Sequence, residues 1–324
     1  MGAVMIKSST GEVCTPNDDI KALDLHGTNA LRARLLQIQA DTGSGEEALY
    51  AEADIAVGVE QAAQAEIDKA QQAAEKALSD FRSYLAQSTG QAHQALPKDS
   101  ELVYNYNPDT QKCEITRLDG ASILLDISQS NLAGELPLPP QLMVAELNCS
   151  SNQLTTLYEV LPASLTKLNC ANNRLTTLPE VLPASLTKLY CFGNQLTTLP
   201  EVLPASLTGL RCDGNQLTTL PEVLPASMTW LNCYENQLTS LPEVLPASLT
   251  RLWCSFNQLT SLPEVLPASL TVLNCRSNQL TKLPEVLPTS LTELSCSGNP
   301  DLANNPAAQA ALQELRDRGA TVYS

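Results

Sequence analysis

Between Val144 and Asn299 the apolar positions follow two patterns in turn, and the pair recurs every 21 residues. In Lys167-Leu168-Asn169-Cys170-Ala171 the fixed apolar residues alternate with positions that vary from unit to unit. That alternation puts Leu168 and Cys170 on one face of an extended segment and their neighbours on the other. The other half of each unit reads LPEVLPAS, with two prolines four residues apart. Each proline lacks an N–H and steers its predecessor away from helix. This side is therefore expected to be extended and polyproline-like. Stacked units make a solenoid whose short strands form one long parallel sheet, and whose open ends need covering.

The flanks are read as covers. SILLDISQSNLAGELPLPPQL (residues 122–142) is a degenerate unit in which Leu125, Ile127, Ser130 and Leu132 replace the fixed Leu, Cys, Asn and Leu. At the other end, NNPAAQAALQELRDRG predicts a short helix with Asn305 as N-cap, Pro306 in the first turn and Gly319 as stop. Ala308, Ala311, Leu312 and Leu315 form its apolar side. Upstream, TNALRARLLQIQA predicts one helix, and the run from Glu46 to Gln87 a longer one, broken near Gly58. Ile67, Ala70, Ala74, Ala77, Phe81 and Leu85 give it a stripe at helical spacing. LVYNYNPDTQKCEITRL predicts a β-hairpin around Asn107-Pro108-Asp109. The expected organisation is a flexible N-terminus (1–17), a helical region (18–98), the hairpin with the degenerate unit (99–143), the repeats (144–300) and a cap (301–324). The fold class is α/β.

Composition changes this picture in two places. The net charge of −16 argues against sequence-independent nucleic-acid binding, where phosphate neutralisation dominates affinity. The cysteines suggest a zinc or disulfide framework until their spacing is read. Eight fall one per unit, from Cys149 to Cys296, with no CxxC, and the only histidines are His26 and His93. They are packing residues, small hydrophobes in a reducing environment. The asparagines three residues on, from Asn152 to Asn299, are read as partners for backbone groups at the turn. No cofactor or metal is expected. No phosphate loop, HExxH or GxSxG occurs, and the glutamates of LPEVLPAS, from Glu159 to Glu285, read as a surface column rather than paired catalytic acids. No apolar run reaches the length of a membrane span, and no secretory signal peptide is expected at the N-terminus.

Four positions per unit vary freely, flanking the inward Leu and Cys, and are expected to face out from the sheet. Both tryptophans and two of the three phenylalanines stand there, interleaved with arginine. Exposed aromatics on a rigid sheet favour being covered, and Trp, Tyr and Arg dominate binding hot spots. The alternatives are that the aromatics pack on each other or that the face has drifted. Single-stranded nucleic acid also suits such a mixture, but the acidity argues against it. The candidate protein-binding residues are Lys188, Tyr190, Phe192, Arg211, Asp213, Trp230, Tyr234, Arg251, Trp253, Phe256 and Arg276. Outward-facing residues are expected to contribute little to stability.

The unit LxxLxCxxNxLTxLPEVLPAS closely resembles the LPX subtype of bacterial leucine-rich repeats, over about residues 122–300. The resemblance implies a solenoid with a parallel concave sheet, an extended convex side, an N-terminal helical region and a capping helix. It also implies relatedness to effectors that Gram-negative pathogens inject into host cells. Some of those carry a C-terminal ubiquitin-ligase domain with a Cys-x-Asp motif. Here the chain ends soon after its last repeat and Cys212-Asp213 are adjacent, so no such domain is expected. The expectation is a non-catalytic protein that binds a host protein on its concave face, delivered into the host cytoplasm; the oligomeric state is not indicated. Alternatives are the substrate-recruiting part of an effector enzyme, and a housekeeping or structural repeat protein of the bacterial cytoplasm.

Overall fold

The computed structural model describes residues 6–7, 13–14, 46–87, 96–107 and 112–324. The helix expected at TNALRARLLQIQA, the expected flexible N-terminus and the Asn107-Pro108-Asp109 turn lie wholly or largely outside them. The chain divides into two compact units, residues 1–73 with 106–113, and residues 74–105 with 114–324. In the first, β1 (Ile6–Lys7) and β2 (Val13–Cys14) pair antiparallel. Helix α1 (Glu46–Ala86) begins in this unit.

The break expected near Gly58 is not there, because α1 runs on through it. One glycine costs a helix only about 1 kcal/mol relative to alanine, and the alanine- and glutamate-rich residues around it favour helix. In the second unit Ala74, Phe81 and Leu85 of the expected stripe are buried, together with Leu78. Tyr84 donates its hydroxyl to the Ala133 carbonyl at 3.2 Å. Arg82 reaches the Pro97 carbonyl at 2.7 Å and Asp99 at 2.8 Å. The hairpin strands β3 (Leu102–Asn107) and β4 (Lys112–Arg117) form a two-stranded sheet. Leu118 N–H donates to Glu101 O at its base.

The solenoid sheet has ten strands. They are β5 (Ile123–Asp126), β7 (Val144–Asn148), β9 (Lys167–Asn169), β10 (Lys188–Tyr190), β11 (Gly209–Arg211), β12 (Trp230–Asn232), β13 (Arg251–Trp253), β14 (Val272–Asn274), β15 (Glu293–Ser295) and β16 (Thr321–Tyr323). All are parallel, and from β7 to β15 the register steps by one sequence period, so Leu168, Leu189, Leu210 and Leu231 stand in one row. The leucine and cysteine rows are buried throughout. On the opposite side both prolines of LPEVLPAS are buried and the valine between them is exposed, as in Pro179, Pro183 and Val181.

Side chains in fixed columns satisfy the backbone. Asn173 donates Nδ2 to the carbonyls of Cys149, Cys170 and Ala171, and its Oδ1 accepts from Leu154 N–H at 3.0 Å. It thus ties its own turn to the preceding unit, and the later asparagines do the same. Ser185 donates to the carbonyls of Ala163 and Leu165 at 2.7 Å, and Thr187 to that of Thr166 at 2.9 Å. These serine and threonine ladders escaped the sequence reading, although their regularity was in plain view.

Leu125, Ile127, Ser130 and Leu132 of the degenerate unit are all buried. Beside them β6 (Ala133–Leu136) pairs parallel with β8 (Gln153–Leu157) as a separate two-stranded sheet. At the far end come α2 (Pro300–Ala303) and α3 (Pro306–Asp317). Asn305 caps α3, its side chain accepting from Ala307 and Ala308 N–H, while Ala308, Leu312 and Leu315 are buried. After Gly319 (φ +87) the chain turns back and β16 extends the sheet by one strand. That strand was not expected, since a three-residue segment carries too little pattern to be read.

Candidate functional site

Three of the four variable columns lie on the open face of the sheet. The fourth is a turn position with positive φ in every unit, at Ser151, Asn172, Gly193, Gly214, Glu235, Phe256, Ser277 and Gly298. It is therefore constrained, which its share of glycine, asparagine and serine hinted at. Glu235 and Phe256 (both φ 53) are the departures. A larger L-residue held in this region costs about 1–2 kcal/mol. Both stand in adjacent units beside the aromatics.

The first cluster is built on Gly209. The Trp230 indole lies over this glycine so closely that a Cβ there would meet Cε2 at 2.1 Å. From that seat it reaches across a whole unit to stack on Tyr190, with centroids 5.9 Å apart and planes at 28°. The Lys188 ammonium stands 5.1 Å from its ring centroid. Burial lowers the Lys188 pKa from its ordinary value. The expectation that outward aromatics contribute little to stability does not fit Trp230. Its stack and its cation contact are each worth about 0.5–1.5 kcal/mol. Next to it the Arg211 guanidinium lies 3.8 Å from the Phe192 centroid. Arg211 also pairs with the nearly buried Asp213 at 2.7 Å, so its charge is satisfied within the chain.

The second cluster surrounds an open hollow of about 300 Å³ lined by Asn232, Tyr234, Trp253, Ser255, Phe256, Asn274 and Arg276. Tyr234 and Phe256 meet edge to face, centroids 5.5 Å apart. Arg276 stands 4.9 Å from the Phe256 centroid. A hydrogen bond to Glu235 holds the Tyr234 phenol above its usual pKa. Asn232 and Asn274 each use Oδ1 to accept a backbone N–H two residues on, from Tyr234 and Arg276. Their Nδ2 groups have no acceptor among the described residues. Arg251, exposed beside Trp253, pairs with no carboxylate there either.

Ten of the eleven candidate residues thus fall into these two neighbouring clusters, and Arg251 stands apart. Toward the N-terminal end, Lys167 pairs with Glu146 at 3.2 Å and Asn148 donates to Asp126. Among the described residues no group of three His, Cys, Asp or Glu is placed to hold a metal, and no helix is long and apolar enough to cross a membrane. All eight thiols of the ladder are buried and held above their ordinary pKa by that burial.

The description Leucine Rich Repeat matches residues 164–184. That segment is one full period, and its pattern recurs in register along the sheet. The fold is that of a leucine-rich-repeat solenoid. Among solved structures it is similar to YopM from Yersinia enterocolitica WA-314, at 34% identity, covering 54% of this chain and 42% of that one, with a TM-score of 0.44. It is similar to a Shigella effector leucine-rich-repeat domain, at 32% identity, covering 61% and 80%, with a TM-score of 0.43. A third similarity is to the functional domain of InlJ from Listeria monocytogenes, which includes a cysteine ladder, at 31% identity, 54% and 44% coverage and a TM-score of 0.45. The match spans less than half of the YopM and InlJ chains. No curated protein matches the chain.

Proposed function

We propose that this leucine-rich-repeat protein is a non-catalytic binding protein that engages a protein partner on the open face of its sheet. The observation that carries this reading is the Lys188–Trp230–Tyr190 stack. A large indole is laid flat across a unit whose residue at that point is glycine. The effect is to present a stiff apolar platform with the Lys188 ammonium against it, the composition of a binding hot spot. The LPEVLPAS half of each unit, similar to the LPX repeats of injected bacterial effectors, supports a host protein as the partner and the host cytoplasm as the place of action. A pull-down from host-cell lysate with the full chain tests it. Trp230→Ala and Trp253→Ala should each lose the captured protein, while Asn148→Ala, toward the end of the same face, should retain it. Equal capture by all of them would overturn the reading.

A further inference from the structure

The hollow between the fifth, sixth and seventh units has a chemistry of its own. Its walls are the rings of Tyr234, Trp253 and Phe256. Its polar lining is rich in donors: the free amides of Asn232 and Asn274, the Ser255 hydroxyl, and the Arg276 guanidinium. No carboxylate is among the residues lining it, and that of Glu235 is engaged by the Tyr234 phenol. Elsewhere on this face Lys167 pairs with Glu146 and Arg211 with Asp213, while Lys188 stands against the Trp230 ring. At the hollow Arg276 and the neighbouring Arg251 have no carboxylate within salt-bridge distance among the described residues. The chain as a whole carries a charge of −16.

The backbone adds an independent observation. At the turn position where six other units place Gly, Ser or Asn and the preceding one Glu235, this one holds Phe256 at φ 53 with 41% of its surface exposed. Its ring touches Tyr234 and Arg276 only from the side of the hollow, and a bulky residue is kept there in a strained conformation with much of its surface open to solvent. Such strain collects at ligand sites.

We infer that this hollow is a subsite for an extended acidic peptide segment that carries a large apolar side chain. The inference rests on the protein-binding reading above and specifies its ligand. The apolar side chain enters between Trp253 and Phe256. Flanking carboxylates accept from Arg276, Arg251 and the asparagine amides. Charge-assisted bonds of this kind are stronger than neutral ones. Peripheral pairing would also make association sensitive to salt.

Fluorescence anisotropy with the full chain tests it. The probe is a labelled, C-terminally amidated peptide Gly-Asp-Glu-Phe-Glu-Asp-Gly. Its companions replace the acids by their amides, or Phe by Ala. The acidic Phe peptide should bind saturably, and each companion should bind about tenfold more weakly or worse, as loss of a hydrogen bond to a charged group implies. Arg276→Gln should abolish the preference for acid over amide. Phe256→Gly should bind the peptide several-fold more weakly while its thermal midpoint changes little, because relief of the left-handed strain offsets the loss of the ring's contacts with Tyr234 and Arg276. No saturable binding, equal affinity for acid and amide forms, or an acid preference that survives Arg276→Gln would each overturn the inference. The lysate experiment separates the two ideas. A captured partner lost with Trp230→Ala but kept with Arg276→Gln leaves the face a binding surface and removes this subsite; one kept with both removes the binding reading itself.

Discussion

The cysteine ladder makes the fold sensitive to alkali, to a degree that follows from its burial. Each of the eight thiols is at most 3% exposed. Burial pushes Cys170 and Cys233 up to about 12 and Cys296 to about 11, against an ordinary 9.0, and raises the other five. In the unfolded chain the same thiols ionise near the ordinary value. Stability is therefore fully present below about pH 9 and falls above it, because the unfolded state sheds protons that the folded state keeps. One unit above its unfolded pKa, each thiol favours unfolding by about 1.4 kcal/mol. Eight together amount to about 11 kcal/mol, comparable to the whole stability of a typical domain. Urea unfolding followed by circular dichroism, at pH steps from about 7.5 to 10.5 under a reductant, measures this. Tyrosine and lysine titrate in the same range, so the decisive comparison is with Cys212→Ala/Cys233→Ala. That variant starts less stable, through two small cavities, but should lose stability with pH about a quarter less steeply. Identical slopes, or thiolate absorbance rising near pH 9 in the folded protein, would refute the reasoning.

Gly209→Ala should evict the Trp230 indole from its seat without removing any aromatic, since the new Cβ would fall 2.1 Å from Cε2. Near-ultraviolet circular dichroism and partner capture should both respond as they do to Trp230→Ala. Leu210→Ala should cost about 2–5 kcal/mol by cavity formation, and because each unit leans only on its neighbours the melt should broaden or split; a single unshifted transition would contradict this. Asn215→Ala strands the carbonyls of Cys191 and Cys212 and the Leu196 N–H, while the Asp213 carbonyl keeps the Gly193 N–H. At about 1–3 kcal/mol for a buried unsatisfied group, it should be at least as damaging as the leucine change, measured by the same melts.

The solenoid was legible because its constraints repeat. A fixed Leu at one position could mean many things, but in every unit it can only be a row of the core. The asparagine column announced its role for the same reason. What repetition cannot reveal is how far a side chain reaches. Tyr190 and Trp230 are forty positions apart in the sequence and in units that are not adjacent, yet they stack. That aromatics on the face pack on each other is one expectation from the sequence, but nothing in a column-by-column view pairs these two or says that Trp230 lies over Gly209. The left-handed turn column was counted as freely variable for a related reason. Backbone φ is written only weakly in residue type, and Glu235 and Phe256 obscured a preference the glycines carried. β16 and the β6–β8 pair escaped because short segments acquire strand structure from a neighbouring edge rather than from their own pattern.

The division between fixed and variable columns has a physical origin that also limits it. Asparagine, serine and threonine in fixed columns bond the backbone of each unit to the one before, and the leucine and cysteine rows fill the core. Stability is thereby assigned to positions that do not face out, and the outward positions are released to change. The release is incomplete. Trp230 needs glycine beneath it and Tyr190 beyond it, Arg211 needs Asp213, and Phe256 packs against both Tyr234 and Arg276. The face therefore varies as groups of residues spanning two or three units, not as single positions. A face rebuilt by exchanging whole units would break these groups at every junction, whereas one rebuilt by exchanging a cluster with its supporting glycine would keep them.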